Sequence, residues 1–142
     1  MNRYCSPFVV LLVTMSNLSI PSSALAGQRA YHSRGTAHFV SAEGDFVGSG
    51  NATHLGKYTE IGNAEISPTG GVSAWSIYTA ANGDQLYATF AGQIDLAGAI
   101  TATVTYVGGT GRFANASGSA TLSGQIQQDG SLVVTVDGSI DY

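Results

Sequence analysis

The chain has 142 residues, 44% hydrophobic and only 10% charged, with five basic against nine acidic side chains for a net charge of −4. So few cations argue against a nucleic-acid surface or an anionic-membrane surface. One cysteine, Cys5, excludes an intrachain disulfide framework.

In chain order, the first feature is a leader. Arg3 supplies a basic start, Phe8 to Val13 reads FVVLLV, and Ser22 to Ala26 ends in Ala-Leu-Ala before Gly27. A basic start, a short apolar run and a small-x-small site form the secretory signal pattern, with cleavage expected after Ala26. A membrane anchor needs about 20 predominantly apolar residues, and this run is broken by Thr14, Ser16, Asn17, Ser19 and Pro21. Cys5 precedes the apolar run, which argues against a lipid-modified cysteine at the cleavage site. Residues 27–142 then form one domain, exported to a periplasm or beyond the cell, with no membrane partner once the leader is removed. Its only fixed cations are Arg29, Arg34, Lys57 and Arg112, so no nucleic-acid partner is expected.

The mature part alternates with period two. Leu86, Ala88, Phe90, Gly92 and Ile94 share one face of a run, as do Ile100, Ala102, Val104 and Tyr106, and as do Leu132, Val134, Val136 and Ile140. Thr, Val, Ile and Tyr at that period predict strands with one buried and one solvated face. Turn residues punctuate the runs: Ala42-Glu43-Gly44-Asp45, Pro68-Thr69-Gly70-Gly71, Asn82-Gly83 and Asp129-Gly130. The reading is eight strands, near 35–41, 45–54, 57–66, 72–81, 85–94, 99–107, 117–127 and 131–141. An even number of short antiparallel strands suggests a closed eight-stranded all-β barrel, since closure removes exposed edges. A two-sheet sandwich is the alternative. Small residues on the buried faces, Ala88, Gly92, Ala102, Gly124 and Gly138, allow tight coiling and can leave room for a ligand.

The stretch YVGGTGRFANASG, Tyr106 to Gly118, poses the question of phosphate binding. A phosphate loop needs a following helix whose amides face the anion. Here only Arg112 to Ala116 separate the glycines from the next strand, and no Gly-Lys-Ser/Thr ending is present. The stretch reads instead as a turn whose glycines supply positive backbone angles while Phe113 plugs one end of the barrel.

YVGGTGRFANASGSATL resembles the Gly-Gly-Thr/Ser-Gly-x-Phe segment of plant dirigent proteins and allene oxide cyclases, which share an eight-stranded calycin-like barrel. Gly44-Asp45-Phe46-Val47-Gly48-Ser49-Gly50-Asn51 is similar to an early Gly-Asp-Leu-Val-x-x-x-Asn segment of the cyclases. Asn82-Gly83-Asp84-Gln85-Leu86 falls where that family has a Gly-Asp turn into a central strand. The resemblance implies a barrel binding a small, mostly apolar molecule and, in the cyclases, steering its ring closure. Of the cyclases' reacting groups only Asn51 has a counterpart. The first strand here has no carboxylate in place of their glutamate, and Glu43 and Glu60 are not motif matches.

His32, His38 and His54 lack metal-site spacing, so no metal and no cofactor is expected. His54 falls at a strand end, where it faces either a ligand or the turn. Tyr58, Tyr78, Tyr87 and Tyr106 fall in four different strands and each offers an apolar body with one polar tip, the chemistry of a pocket lining. The opposing reading is that these tyrosines seal barrel ends. Asn51 and Glu60 complete the candidate ligand-binding set. If Phe46 points inward, alternation sends Asn51 outward unless a bulge at Gly48 or Gly50 intervenes. Asp84, Asp95 and Asp129 read as turn residues, and no serine has a nucleophile-elbow context. Three functions stay open: a binder of a small apolar or aromatic molecule, a cyclase or isomerase acting on one, and a structural module with a filled core. Homo-oligomerisation is also left open.

Overall fold

The computed structural model describes residues 27–142; the leader expected over residues 1–26 lies outside the described residues. Eight antiparallel strands form a closed barrel in which each strand pairs with the next and the first closes on the last. They are β1 (Gln28–Phe39), β2 (Asp45–Ala52), β3 (Gly56–Ile66), β4 (Gly71–Ala80), β5 (Gln85–Ile94), β6 (Ala99–Gly109), β7 (Ser117–Ile126) and β8 (Leu132–Asp141). Every expected strand is present, and the barrel, not the sandwich, is the form they take. The principal difference is β1, which begins at Gln28 instead of residue 35 and pairs with β8 from Gln28↔Asp141 to Ala37↔Leu132. Those extra residues close the barrel, leaving no free edge.

The period of two puts Leu86, Ala88, Phe90, Ala102, Val104, Tyr106, Val134, Val136 and Ile140 inside, all buried. Outward positions of the same strands are dominated by Ser and Thr, as in Thr101, Thr103 and Thr105 of β6. The hairpin glycines take the positive φ that their turns require: Gly83 at 91°, Gly130 at 84°. Asp95 caps its turn by accepting from the Ala97 and Ala99 amides at 2.9 and 3.0 Å, as a turn aspartate should.

The two ends of the barrel differ. At one end lie both chain termini of the described segment, the β2–β3 and β4–β5 loops and the β6–β7 connection. The glycine-rich stretch forms that connection as a single 3-10 turn, Gly111–Phe113, and Phe113 is 0% exposed. Thr110 holds the turn to β5, donating its amide to the Gln85 carbonyl and accepting the Gln85 amide on Oγ1, each at 2.9 Å. Gly109 must lack a side chain, because a Cβ there would stand 2.0 Å from the Gln85 carbonyl oxygen. Phe113, Leu55, Leu86 and Ile140 close this end. Burying a side chain such as Phe113 contributes about 2–3 kcal/mol. The opposite end carries only the hairpin turns at 40–44, 67–70, 95–98 and 127–131 and stays open.

Candidate functional site

The interior divides into two halves. The half beside the open end holds a cavity of about 90 Å³ lined by Ala37, Ala64, Ala74 and Ala102, with Phe46, Phe90, Leu122 and Val134 around them. Small inward residues make the space: four alanines stand where larger chains would fill it. About 10–15 Å³ suffices for one water, so the cavity has room well beyond a single solvent molecule. Its mouth is apolar. Phe39, Ile66, Val72, Ile100, Ile126 and Leu132 line it, with Phe39 and Ile66 each 47% exposed. Phe39 and Phe46 pack edge to face at the mouth, ring centres 6.2 Å apart. Phe46 lies over Gly62 of β3, where a Cβ would stand 2.4 Å from its ring.

Glu60 and Tyr78, adjacent across β3 and β4, are the polar groups at the cavity's inner end, and His38 lines its mouth. Glu60 is 7% exposed, and its Oε1 accepts a hydrogen bond from Ser76 Oγ at 2.5 Å. Burial pushes the Glu60 carboxyl above the usual carboxylate range, while the Ser76 and Tyr78 hydroxyls that face it pull the other way. All four fixed cations are exposed, so among the described residues the interior offers no positive partner to hold Glu60 ionised.

The second half, between Glu60 and the sealed end, is packed with tyrosines. Tyr58 meets Tyr78 edge to face at 5.2 Å, and Tyr31 meets Tyr106 at 5.0 Å. The Tyr58 hydroxyl sits against Gly35 and Gly50, which pair across β1 and β2; a Cβ on either would stand 2.5 or 2.7 Å from it. Burial raises all four phenols above their ordinary value, Tyr58 to about 12, and Ser33 eases both Tyr31 and Tyr58 by hydrogen bonding. The Tyr106 hydroxyl is buried without a well-formed hydrogen bond, though Tyr31 lies against it.

Of the sequence candidates, Tyr58, Glu60, Tyr78 and Tyr106 come together inside the barrel, and only Glu60 and Tyr78 reach the cavity. Asn51 is corrected. β2 runs in unbroken register with both neighbours, so no bulge reverses its alternation, and Asn51 is exposed on the outer face, paired with Arg34 and Lys57. Tyr87 is corrected too: it lies on the outer face of β5, half-buried, its hydroxyl donating to Gln85 Oε1 at 3.2 Å. His54 serves the sealed end and not the cavity. In the left-handed region at φ 69°, it donates from Nε2 to the Ala30 carbonyl at 2.8 Å and accepts the Tyr142 hydroxyl on Nδ1 at 3.0 Å. Its own carbonyl accepts from Arg112 Nη2 at 2.5 Å. The sequence reading missed Tyr31, Ser33 and Ser76. Tyr31 and Ser33 alternate in step with Gly35 and Ala37, the signal that could have extended β1 back to them.

Compared with protein-family models, curated proteins and solved structures, the chain finds no match.

Proposed function

We propose that the protein is an exported barrel that binds a small apolar or aromatic molecule, of the allene oxide cyclase and dirigent type that its glycine-rich segment resembles. One observation carries the reading: an apolar cavity of about 90 Å³ under an exposed Phe39 and Ile66 mouth, in a barrel whose other end is sealed by Phe113. A concave apolar space with few polar groups is the usual form of a small-molecule site. A filled structural module has no use for a row of alanines that leaves its upper core empty. An enzymatic variant of the reading rests on Glu60 with Tyr78, since Asn51 stands outside; loss of turnover of a bound molecule in Glu60→Gln with binding retained would support it.

Native mass spectrometry tests the binding reading on protein exported from a secreting host, measured before and after denaturation and refolding, then with ethylbenzene added. Extra mass lost on refolding, or a saturable ethylbenzene complex abolished by Ala102→Leu, is the expected result. A bare chain that takes up no ethylbenzene overturns the reading and favours the structural module.

A further inference from the structure

The cavity is not uniformly apolar. At its inner end the Glu60 carboxyl accepts the Ser76 hydroxyl on Oε1 at 2.5 Å, and the Tyr78 hydroxyl hydrogen-bonds the same carboxyl. The other oxygen, Oε2, is turned toward Gly48 of β2, 3.0 Å from where a Cβ would stand. Glycine at that position leaves beside Oε2 the room that a side chain would take.

We infer that the occupant of this cavity carries one carbonyl oxygen at its inner end, accepting a hydrogen bond from the Glu60 carboxyl while its apolar body fills the space below Phe39 and Ile66. This rests on the binding reading above and adds the ligand's polar group to it. With Oε1 accepting from Ser76, a proton on the carboxyl belongs on Oε2, and because Glu60 lines the cavity the neutral acid is its donor. A neutral acid is the form that burial favours, as the raised Glu60 titration indicates. The groups facing it agree. Tyr31 from β1, Tyr58 from β3 and Tyr78 from β4 are neutral phenols, Gly48 brings no charge from β2, and His38 is exposed at the mouth. Across the barrel, Phe90, Ala102, Leu122 and Val134 are apolar. Beyond His38 at the mouth, an anionic ligand would reach the inner end with no fixed cation to meet it. An ammonium ligand would require two charges to be desolvated together. A carbonyl needs neither, and a buried acid kept neutral to donate to a carbonyl oxygen is an established chemical device.

Four molecules of nearly one shape test it: ethylbenzene, acetophenone, 1-phenylethylammonium and benzoate, titrated into the exported protein with affinities read from backbone amide shifts. At about pH 5, acetophenone is expected to bind roughly five- to tenfold tighter than ethylbenzene, the worth of one net hydrogen bond. That preference is expected to fade as pH rises and Glu60 ionises, because the carboxylate has no proton to donate. Glu60→Gln keeps a donor of the same shape and should preserve the preference without its pH dependence; Glu60→Met should abolish it. Equal affinity for ethylbenzene and acetophenone overturns this inference and leaves the binding reading standing. Tighter binding of the ammonium or of benzoate overturns it in favour of a charged occupant. Failure of all four overturns both.

Discussion

Replacing Glu60 by Gln should change how stability depends on pH, in a direction set by its burial. The unfolded carboxyl titrates near 4.5, and the folded one is raised by desolvation. Below 4.5 both states hold the proton and the group costs nothing. Above it the unfolded chain releases a proton that the folded chain retains, so stability falls as pH rises until the folded carboxyl ionises as well. The slope in that window is about 1.4 kcal/mol per pH unit for one group, and Glu60 is 7% exposed, so solvent screening barely discounts it. Asp45 and Asp129 have lowered titrations from their Asn63, Ser41 and Ser131 hydrogen bonds. Their contribution is present above 3.8 and lost as pH falls, so it lies in a separate, more acidic window. Urea unfolding of wild type and Glu60→Gln at half-unit steps from pH 4 to pH 9 reads the difference directly, because groups common to both proteins cancel. The expected difference curve is flat near pH 4 and then climbs in favour of the variant at the slope above until Glu60 ionises. Parallel curves across the whole range would refute the claim that Glu60 is buried without a positive partner.

Three further outcomes follow from the same geometry. Phe113→Ala removes a fully buried ring from the sealed end and should cost about 3–5 kcal/mol in urea unfolding; a loss under 1 kcal/mol would mean that Phe113 does not seal the barrel. Asn51→Ala, on the outer face, should shift stability by no more than about 0.5 kcal/mol and leave ethylbenzene affinity unchanged; a large loss of affinity would put Asn51 back at the site. At alkaline pH, the buried phenols of Tyr31, Tyr58, Tyr78 and Tyr106 have folded titrations above the ordinary 10.0. Their stability is therefore complete below pH 10 and lost above it. Phenolate absorbance at these positions should rise together with loss of the barrel's circular dichroism, and ionisation in a still-folded barrel would contradict their burial.

The candidate site was partly legible. Glu60 and Tyr78 could be nominated because an acid and phenols on strands have the chemistry of a pocket lining, although tyrosines that seal a barrel end look the same in sequence. Asn51 was nominated from the resemblance and Tyr87 from its phenol, while simple alternation already sent both to the outer face. β2 kept its parity, and the register irregularity lies in the β5–β6 pairing, where Leu86 and Ala88 face Gly109 and Tyr106 and the extra residue is in β6. Local sequence around Gly48 and Gly50 does not say whether a bulge forms there, because that depends on how β1 and β3 pair with β2.

What the sequence determined by itself was the alternation and its punctuation. Period-two runs of Val, Ile, Thr and Tyr, broken by Asn-Gly and Asp-Gly pairs, specify antiparallel hairpins, since each is a local property of a few residues. The reading of Phe113 as a plug came from the same local logic: the glycines forbade a helix and left the aromatic to turn inward. Tertiary structure alone decided the rest. Closure through β1 and β8 joins residues more than a hundred positions apart, such as Gln28 and Asp141, and only that closure makes an inside in which Tyr31, Tyr58 and Tyr106 can meet. Whether the inside is filled or hollow depends on the summed volume of side chains from all eight strands at one level of the barrel. At the level of Ala37, Ala64, Ala74 and Ala102 that sum falls short, and the shortfall is the cavity above Glu60.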